Sequence, residues 1–406
     1  GVISGWALTG TYTFYAVVTS MAGGRFAANF LNAIGIWKNP PTWSGFLLGA
    51  IGMVLVWWLA ITPARGGTRI LLAAEGITVL LILIVIVIVF AKLAGHSAPH
   101  GLGVDWKVFS LPSGVPLSTI FLGVVFGFLS FAGFEAASTL GEETRRPRRD
   151  IPRAILGVAI FGGIYFVVVT AVEVMGFGTS AKGVAAFINS TSLIGDLGTS
   201  YVSSWLGTVI TAGAMVSAFG CALASTVGAS RLTFAMSRDG MLPARLSRVS
   251  PRRRTPIVAA ACVVVAVYVI IAFTWFVLGG DPFTLFLESG TIGTLILLVV
   301  YVLATIGMVR LVFFSGRTEV KRWELIIPVL GVIVLGYTLF RNVWPLPTGV
   351  NWWGPSVAIA WFVIGIAWVL SRPAATRRAG ELLTQAEGLA PSTDDSEPGR
   401  LSRQGA

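Results

Sequence analysis

Residues 128–153 read FLSFAGFEAASTLGEETRRPRRDIPR, and the physical demands of this stretch decide the fold. It begins as an apolar helix, meets Gly133 and Glu135, and passes through an acidic pair into a basic cluster and a fresh helix start. The surroundings, from residue 120 to 177, are otherwise almost wholly apolar. Gly133 lets the backbone leave helical geometry at small steric cost. Glu135 falls about one helical turn inside the lipid-embedded region, where a charged side chain costs roughly 2.5–3.5 kcal/mol on insertion scales. Irregular backbone at that depth is tolerated only where it faces protein or a water-filled cavity. The interruption is therefore a candidate solute site.

The rest of the chain supplies the membrane context. Mean hydropathy is +0.82. Hydrophobic residues make up 55% and charged residues 12% of 406 positions, against about a quarter charged in a soluble domain. An all-α integral membrane protein follows. Ten apolar stretches are long enough, at ~20 residues each, to cross a bilayer. They cover 2–22, 43–61, 70–90, 119–140, 155–177, 205–234, 257–275, 285–308, 324–340 and 352–370. The first has neither the basic leader nor the cleavage pattern of a signal peptide. Glycine rather than methionine at position 1 reads as a processed or truncated start.

Basic residues set the orientation. Arg65, Arg69, Arg145, Arg146, Arg148, Arg149, Arg153, Arg231, Arg238 and Arg245 gather on one side, with further arginines after each later inward loop. The other side holds little beyond Lys38, Lys92, Lys107, Lys182 and Arg341, with Arg25 near a helix end. The basic side is expected to be cytoplasmic, with both termini inside. A net charge of +11 then needs no nucleic acid to explain it, since the aromatics lie within or beside spans as interfacial anchors do.

Other chemistries find no support. Cys221 and Cys262 stand apart in apolar helices and read as small core residues, neither a zinc set nor a disulfide framework. His96 and His100 are four apart, but Gly95, Pro99 and Gly101 argue against a shared helical face and hence a metal site. No GxxxxGK[ST] loop suggests ATP coupling. No cluster of Asp or His suits a membrane-embedded lipid-phosphate transferase, so an enzyme is not expected.

Individual residues carry further expectations. Gly45, Gly49 and Gly52 form a small-residue stripe suited to close helix packing. The stretch 205–234 is dense in Gly, Ala and Ser, and its Ser217, Ser225 and Thr226 offer hydroxyls either to a solute or ion or to helix packing. Glu75 either reaches water or handles an ion, and Glu173 has no assigned role. Residues 178–204 suit one short re-entrant or interfacial helix. Asp150 is expected to cap the next helix with Pro152 in its first turn. Glu142 and Glu143 beside Arg145 and Arg146 form either a solvated loop or a gating latch. Residues 371–406 read as a disordered tail.

Three segments carry a family resemblance. FAGFEAASTLGEETRRPRRDIPRAI (131–155) resembles the sixth transmembrane helix and following loop of the amino acid–polyamine–organocation permeases. ASRLTFAMSRDGMLP (229–243) resembles the end of their eighth helix, and the opening GVISGW the start of their third. The resemblance implies the leucine-transporter-like fold of two inverted five-helix repeats, with solute held between broken first and sixth helices. Ten of about twelve helices are then visible, the first two being absent, and residues 1–370 form the permease domain. It implies solute contacts from Leu129, Ser130, Ala132 and Gly133, with aromatic walls from Phe128, Phe131 and Phe134 and a weaker contribution from Ser217. Glu135 matches an acidic family position and is either a gating residue or a structural hydrogen-bond partner. Glu142, Glu143, Arg145, Arg149 and Asp150 are the accompanying gating or structural set. Some proton-coupled relatives place a lysine in the fifth helix; 70–90 has none, so coupling to H+ or Na+ stays open and no cofactor is expected. The implied activity is secondary active transport of amino acids. A polyamine or organic-cation carrier and a truncated, non-transporting paralogue are the alternatives.

Overall fold

The computed structural model describes residues 1–62, 67–134, 144–251, 253, 255–314, 321–346 and 353–386. Its first helices are α1 (Val2–Ala33), α2 (Ser44–Ala60), α3 (Gly67–Ala94), α4 (Ile120–Phe131) and α5 (Pro147–Phe177). Two short helices, α6 (Ala181–Asn189) and α7 (Leu193–Tyr201), precede the long α8 (Ser204–Arg238). Then come α9 (Ile257–Ala272), α10 (Pro282–Phe314), α11 (Ile326–Val343), α12 (Trp353–Leu370) and α13 (Pro373–Ala386). Each of the ten apolar stretches overlaps one of these helices. Among the described residues, seven are both long and apolar enough to cross a membrane. Of the other three, α2 has 17 residues and the described part of the fourth stretch ends with the 12-residue α4.

The third, α1, is long but rich in hydroxyls, and it silences several of them locally. Thr9, Thr13 and Thr19 donate to carbonyls four residues back at 2.9, 2.8 and 2.7 Å, and Ser20 donates to Val17 at 2.8 Å. Satisfied in this way, α1 occupies the middle of the bundle, packed against α8, α10 and α2. Its contact with α2 is backbone to backbone. A Cβ on Gly24 would overlap the Gly45 carbonyl oxygen, and one on Gly49 would lie 2.8 Å from the Ser20 carbonyl oxygen. The glycine stripe of α2 thus performs the packing expected of it. At the other end of α1, Trp6 stacks on Trp361 of α12 with ring centres 4.6 Å apart. Each indole N–H donates to the other residue's carbonyl, at 2.9 and 3.2 Å.

Several local expectations change. Cys221 and Cys262 lie on exposed faces of α8 and α9, because the small residues that pack α8 inward occupy its other side. Helix α5 begins at Pro147, with Arg146 as its flanking residue, rather than at Asp150. Proline lacks the N–H that a first turn leaves unpaired, so Pro147 already suits the first position. Asp150 therefore sits inside the first turn, 3.7 Å from the Arg146 guanidinium. Residues 178–204 form two helices, not one. The chain turns between them where Ser190 donates its hydroxyl to Asp196 at 2.6 Å and accepts the Ser192 N–H at 3.2 Å. The expected disordered tail opens with α13, whose Ala375 packs beside Met236, Met241 and Trp368.

On the face away from the arginines, Asp105 ties its loop to the end of α5. It accepts hydrogen bonds from the Thr179 hydroxyl at 2.7 Å and the Lys107 N–H at 3.0 Å. Those bonds, Thr179 first, hold its carboxyl below the ordinary carboxylate range. A depressed folded-state pKa contributes stability above the unfolded pKa that is lost as pH falls through the folded one. Thr179→Val is expected to remove part of that acid-side loss, read as a flatter dependence of thermal unfolding between neutral pH and the carboxylate range. An unchanged pH profile would show that the tie is inert.

Candidate solute-binding site

Helix α4 halts where the sequence places its interruption. Ala132 leaves helical geometry at φ −57°, ψ 133°, and Gly133 adopts φ +101°. That φ lies in a region that side-chain-bearing residues rarely occupy, which is why glycine stands there. The Ala132 N–H makes the last turn's bond to Leu129 at 3.1 Å. Glu135, Glu142 and Glu143 lie outside the described residues.

The residues around the stop look in different directions. Leu129 and Ala132 join an apolar group with Tyr12, Tyr15 and Val18 of α1, Ala229 of α8, Val263 of α9 and Leu297 of α10. A Cβ on Gly290 of α10 would stand 2.8 Å from the Leu129 side chain, so Gly290 makes room for it. Phe128 belongs to a separate group with Phe14, Val125 and Ile292. Phe131 reaches α5, edge-on to Phe166 at 5.4 Å and over Gly162. Phe134 lies 6.2 Å from Tyr301 of α10. The three phenylalanines therefore do not form one wall. The turn at 132–133 redirects the third, and the first two reach different neighbouring helices.

Polar groups gather where α1 meets α10. Thr11 donates to the Gly293 carbonyl at 3.2 Å, and the Tyr15 and Thr294 hydroxyls are 3.2 Å apart. Gly293 lets this happen: a Cβ there would stand 2.8 Å from the Tyr15 ring. The buried hydroxyls of Thr226 on α8 and Ser289 on α10 have no hydrogen-bond partner among the described residues, a state that costs about 1–3 kcal/mol each. Ser130 turns its hydroxyl back to the Phe126 carbonyl at 2.9 Å. Ser217 is half-buried on α8 with no hydrogen bond among the described residues. Arg145 and Arg149 are exposed and unpaired among the described residues. The Arg146–Asp150 pair is largely exposed, and such pairs contribute about 0–1 kcal/mol.

Sequence reasoning gave no role to two buried carboxyls and one arginine. Glu288 on α10 is 4% exposed and lies against Gly354 in the first turn of α12. Glu173 on α5 and Arg25 on α1 line a cavity of about 340 Å³ between α1, α7 and α10. Arg25 also lines a second cavity of about 460 Å³ on the same face. Their signal was an isolated charge in an apolar helix, which marks a residue without naming its partner.

These features define a multi-pass, all-helical membrane protein with an irregular backbone at its centre. The chain belongs to the amino acid permease family, whose profile matches residues 1–368. It is 28% identical over 268 residues to the branched-chain amino acid permease BcaP of Bacillus subtilis, covering 63% of this chain and 54% of the relative. An uncharacterized transporter of Mycobacterium tuberculosis is 33% identical over 267 residues, 65% of this chain and 54% of that protein. The branched-chain amino acid permease BcaP of Lactococcus lactis is 26% identical over 393 residues, covering 90% and 76%. The chain spans about half the length of the first two of these relatives.

Proposed function

We propose that the chain forms the transport core of a secondary active permease that moves amino acids, branched apolar ones foremost, by alternating access. The observation that carries this reading is the end of α4 at Ala132–Gly133 beside Tyr12, Tyr15 and Leu297. The last turn of a helix leaves carbonyls without intrahelical partners, and the negative end of its dipole favours a cation. An amino acid's ammonium group fits there, while Leu129, Val18 and Leu297 suit a branched apolar side chain. The names of the two branched-chain relatives support the same substrate class. Backbone around Ser130–Gly133 is the proposed contact surface, with Phe128, Phe131, Phe134 and Ser217 as supports outside it.

The membrane is the cytoplasmic one, with the arginine-rich face and the C-terminus inside, as the charge asymmetry supports. Coupling is to H+ or Na+, and the Thr226 and Ser289 hydroxyls, unpartnered among the described residues, have spare acceptor capacity for a small cation. The test is uptake of labelled leucine by proteoliposomes holding the full-length protein, with sodium present or replaced by choline and with or without an imposed pH gradient. Unlabelled neutral amino acids are expected to compete and putrescine is not. Competition by putrescine would replace the amino acid reading with a polyamine carrier. No uptake under any gradient would favour a non-transporting paralogue.

A further inference from the structure

Arg25 lines the 460 Å³ cavity with no ion-pair contact among the described residues. The Arg25 guanidinium lies 4.3 Å above the Phe283 ring centre, and its stem packs on Gly45, where a Cβ would stand 3.3 Å from Arg25 Cγ. Among the described residues it makes no hydrogen bond and no ion pair within 4.0 Å. The nearby carboxylate, Asp281, is committed elsewhere. It caps α10, accepting the Phe283 and Thr284 N–H groups at 2.9 and 3.2 Å and the Thr284 hydroxyl at 2.6 Å. Burial by itself would raise the Asp281 pKa, but those hydrogen bonds and the charge of Arg25 outweigh it, and the carboxyl falls below its ordinary range. With Asp281 near but no carboxylate in contact among the described residues, the half-buried guanidinium keeps its donors available to an anion, and guanidinium geometry matches a carboxylate.

The rest of the cavity wall is uncharged and mixed, with Asn29, Asn32, Thr42 and Thr191 alongside Ala28, Pro40, Pro41 and Phe283. One fixed positive and one fixed negative group across a cavity of this size complement a zwitterion. The volume lies within the range of small-molecule sites. We propose that this cavity is a second amino acid site, on the face away from the arginine clusters, in which Arg25 binds the substrate's carboxylate and Asp281 attracts its ammonium group. Arg25 and Thr191 also line the 340 Å³ cavity behind it, so the site would load solute toward the interior of the bundle. This rests on the permease reading above.

The test is leucine uptake in proteoliposomes by full-length wild type, Arg25→Gln and Arg25→Lys. Loss of one charge-assisted contact predicts a KM about tenfold higher for Arg25→Gln with Vmax within about twofold of wild type. Arg25→Lys is expected to recover part of the difference. Thr191→Trp, which fills the cavity from the link between α6 and α7 and leaves Arg25 in place, is expected to raise KM in the same way and keeps the proposal testable if Arg25→Gln does not fold. Wild-type KM in both Arg25→Gln and Thr191→Trp would overturn the second site and leave the permease reading standing. Absence of uptake by wild type would overturn the permease reading itself. If replacing chloride with gluconate changes wild-type uptake and Arg25→Gln abolishes that change, Arg25 holds an inorganic anion and the amino acid assignment fails.

Discussion

Gly133→Leu is expected to reduce uptake to background while the protein still inserts and elutes as a single species. The reason lies in the backbone and not in crowding. Gly133 holds φ +101°, and a Cβ there would meet nothing within 4 Å among the described residues. The substituted residue has room but lacks the conformation. Such strained conformations cost of order 1–3 kcal/mol. The chain relieves that cost by moving φ to negative values, which redirects the segment after α4 and displaces the carbonyls of its last turn. A change of 1.4 kcal/mol is about tenfold in an equilibrium, and the displacement of several contacts together exceeds that. Gly133→Ala separates the two causes, since it imposes the same φ restriction with almost no added bulk, and is expected to lose most uptake as well. Gly123→Ala is the control, because Gly123 lies in regular α4 with open space around it. Uptake retained by Gly133→Leu would remove the α4 stop from the binding site.

What could be read beforehand follows the range of each force. The ten apolar stretches were legible as helical regions because hydropathy is a local sum, though among the described residues seven helices are long and apolar enough to cross a membrane. The stop at Gly133 was legible because glycine within an apolar run can signal a special backbone. The start of α5 was misplaced by four residues, its cap being Arg146 rather than Asp150, because Pro147 and Pro152 both offer start signals, and only packing chooses between them. The separation of Phe128, Phe131 and Phe134 was not legible, since it depends on which neighbour each ring meets. Cys221 and Cys262 show the same limit: a small residue in a small-residue helix fits either face. Arg25 was seen only as a charge near a helix end. Its importance comes from Asp281, far along the chain, being occupied as a helix cap.

The largest loss of stability is expected from Gly24→Leu. A Cβ at this position would collide with the Gly45 carbonyl oxygen and lie 2.7 Å from Gly49 N and 3.0 Å from Gly49 Cα. All three are backbone atoms of α2, so no side-chain rotation relieves the clash. Overpacking typically costs about 1–3 kcal/mol and occasionally more. Here the collision is with rigid helix, so the remedy is separation of α1 from α2. Because α1 also packs against α8 and α10, moving it disturbs the centre of the bundle. The expected result is little monodisperse protein after detergent extraction, measured by fluorescence-detected size exclusion. Gly76→Leu on α3, where a Cβ meets nothing within 4 Å among the described residues, is expected to behave as wild type in the same assay. The contrast with Gly133→Leu carries the argument: one glycine is required by a neighbouring backbone and its loss costs the fold, while the other is required by its own φ and its loss costs transport. Normal yield from Gly24→Leu would mean that α1 and α2 do not touch as described, and the position of Arg25 over Gly45 would fall with that contact.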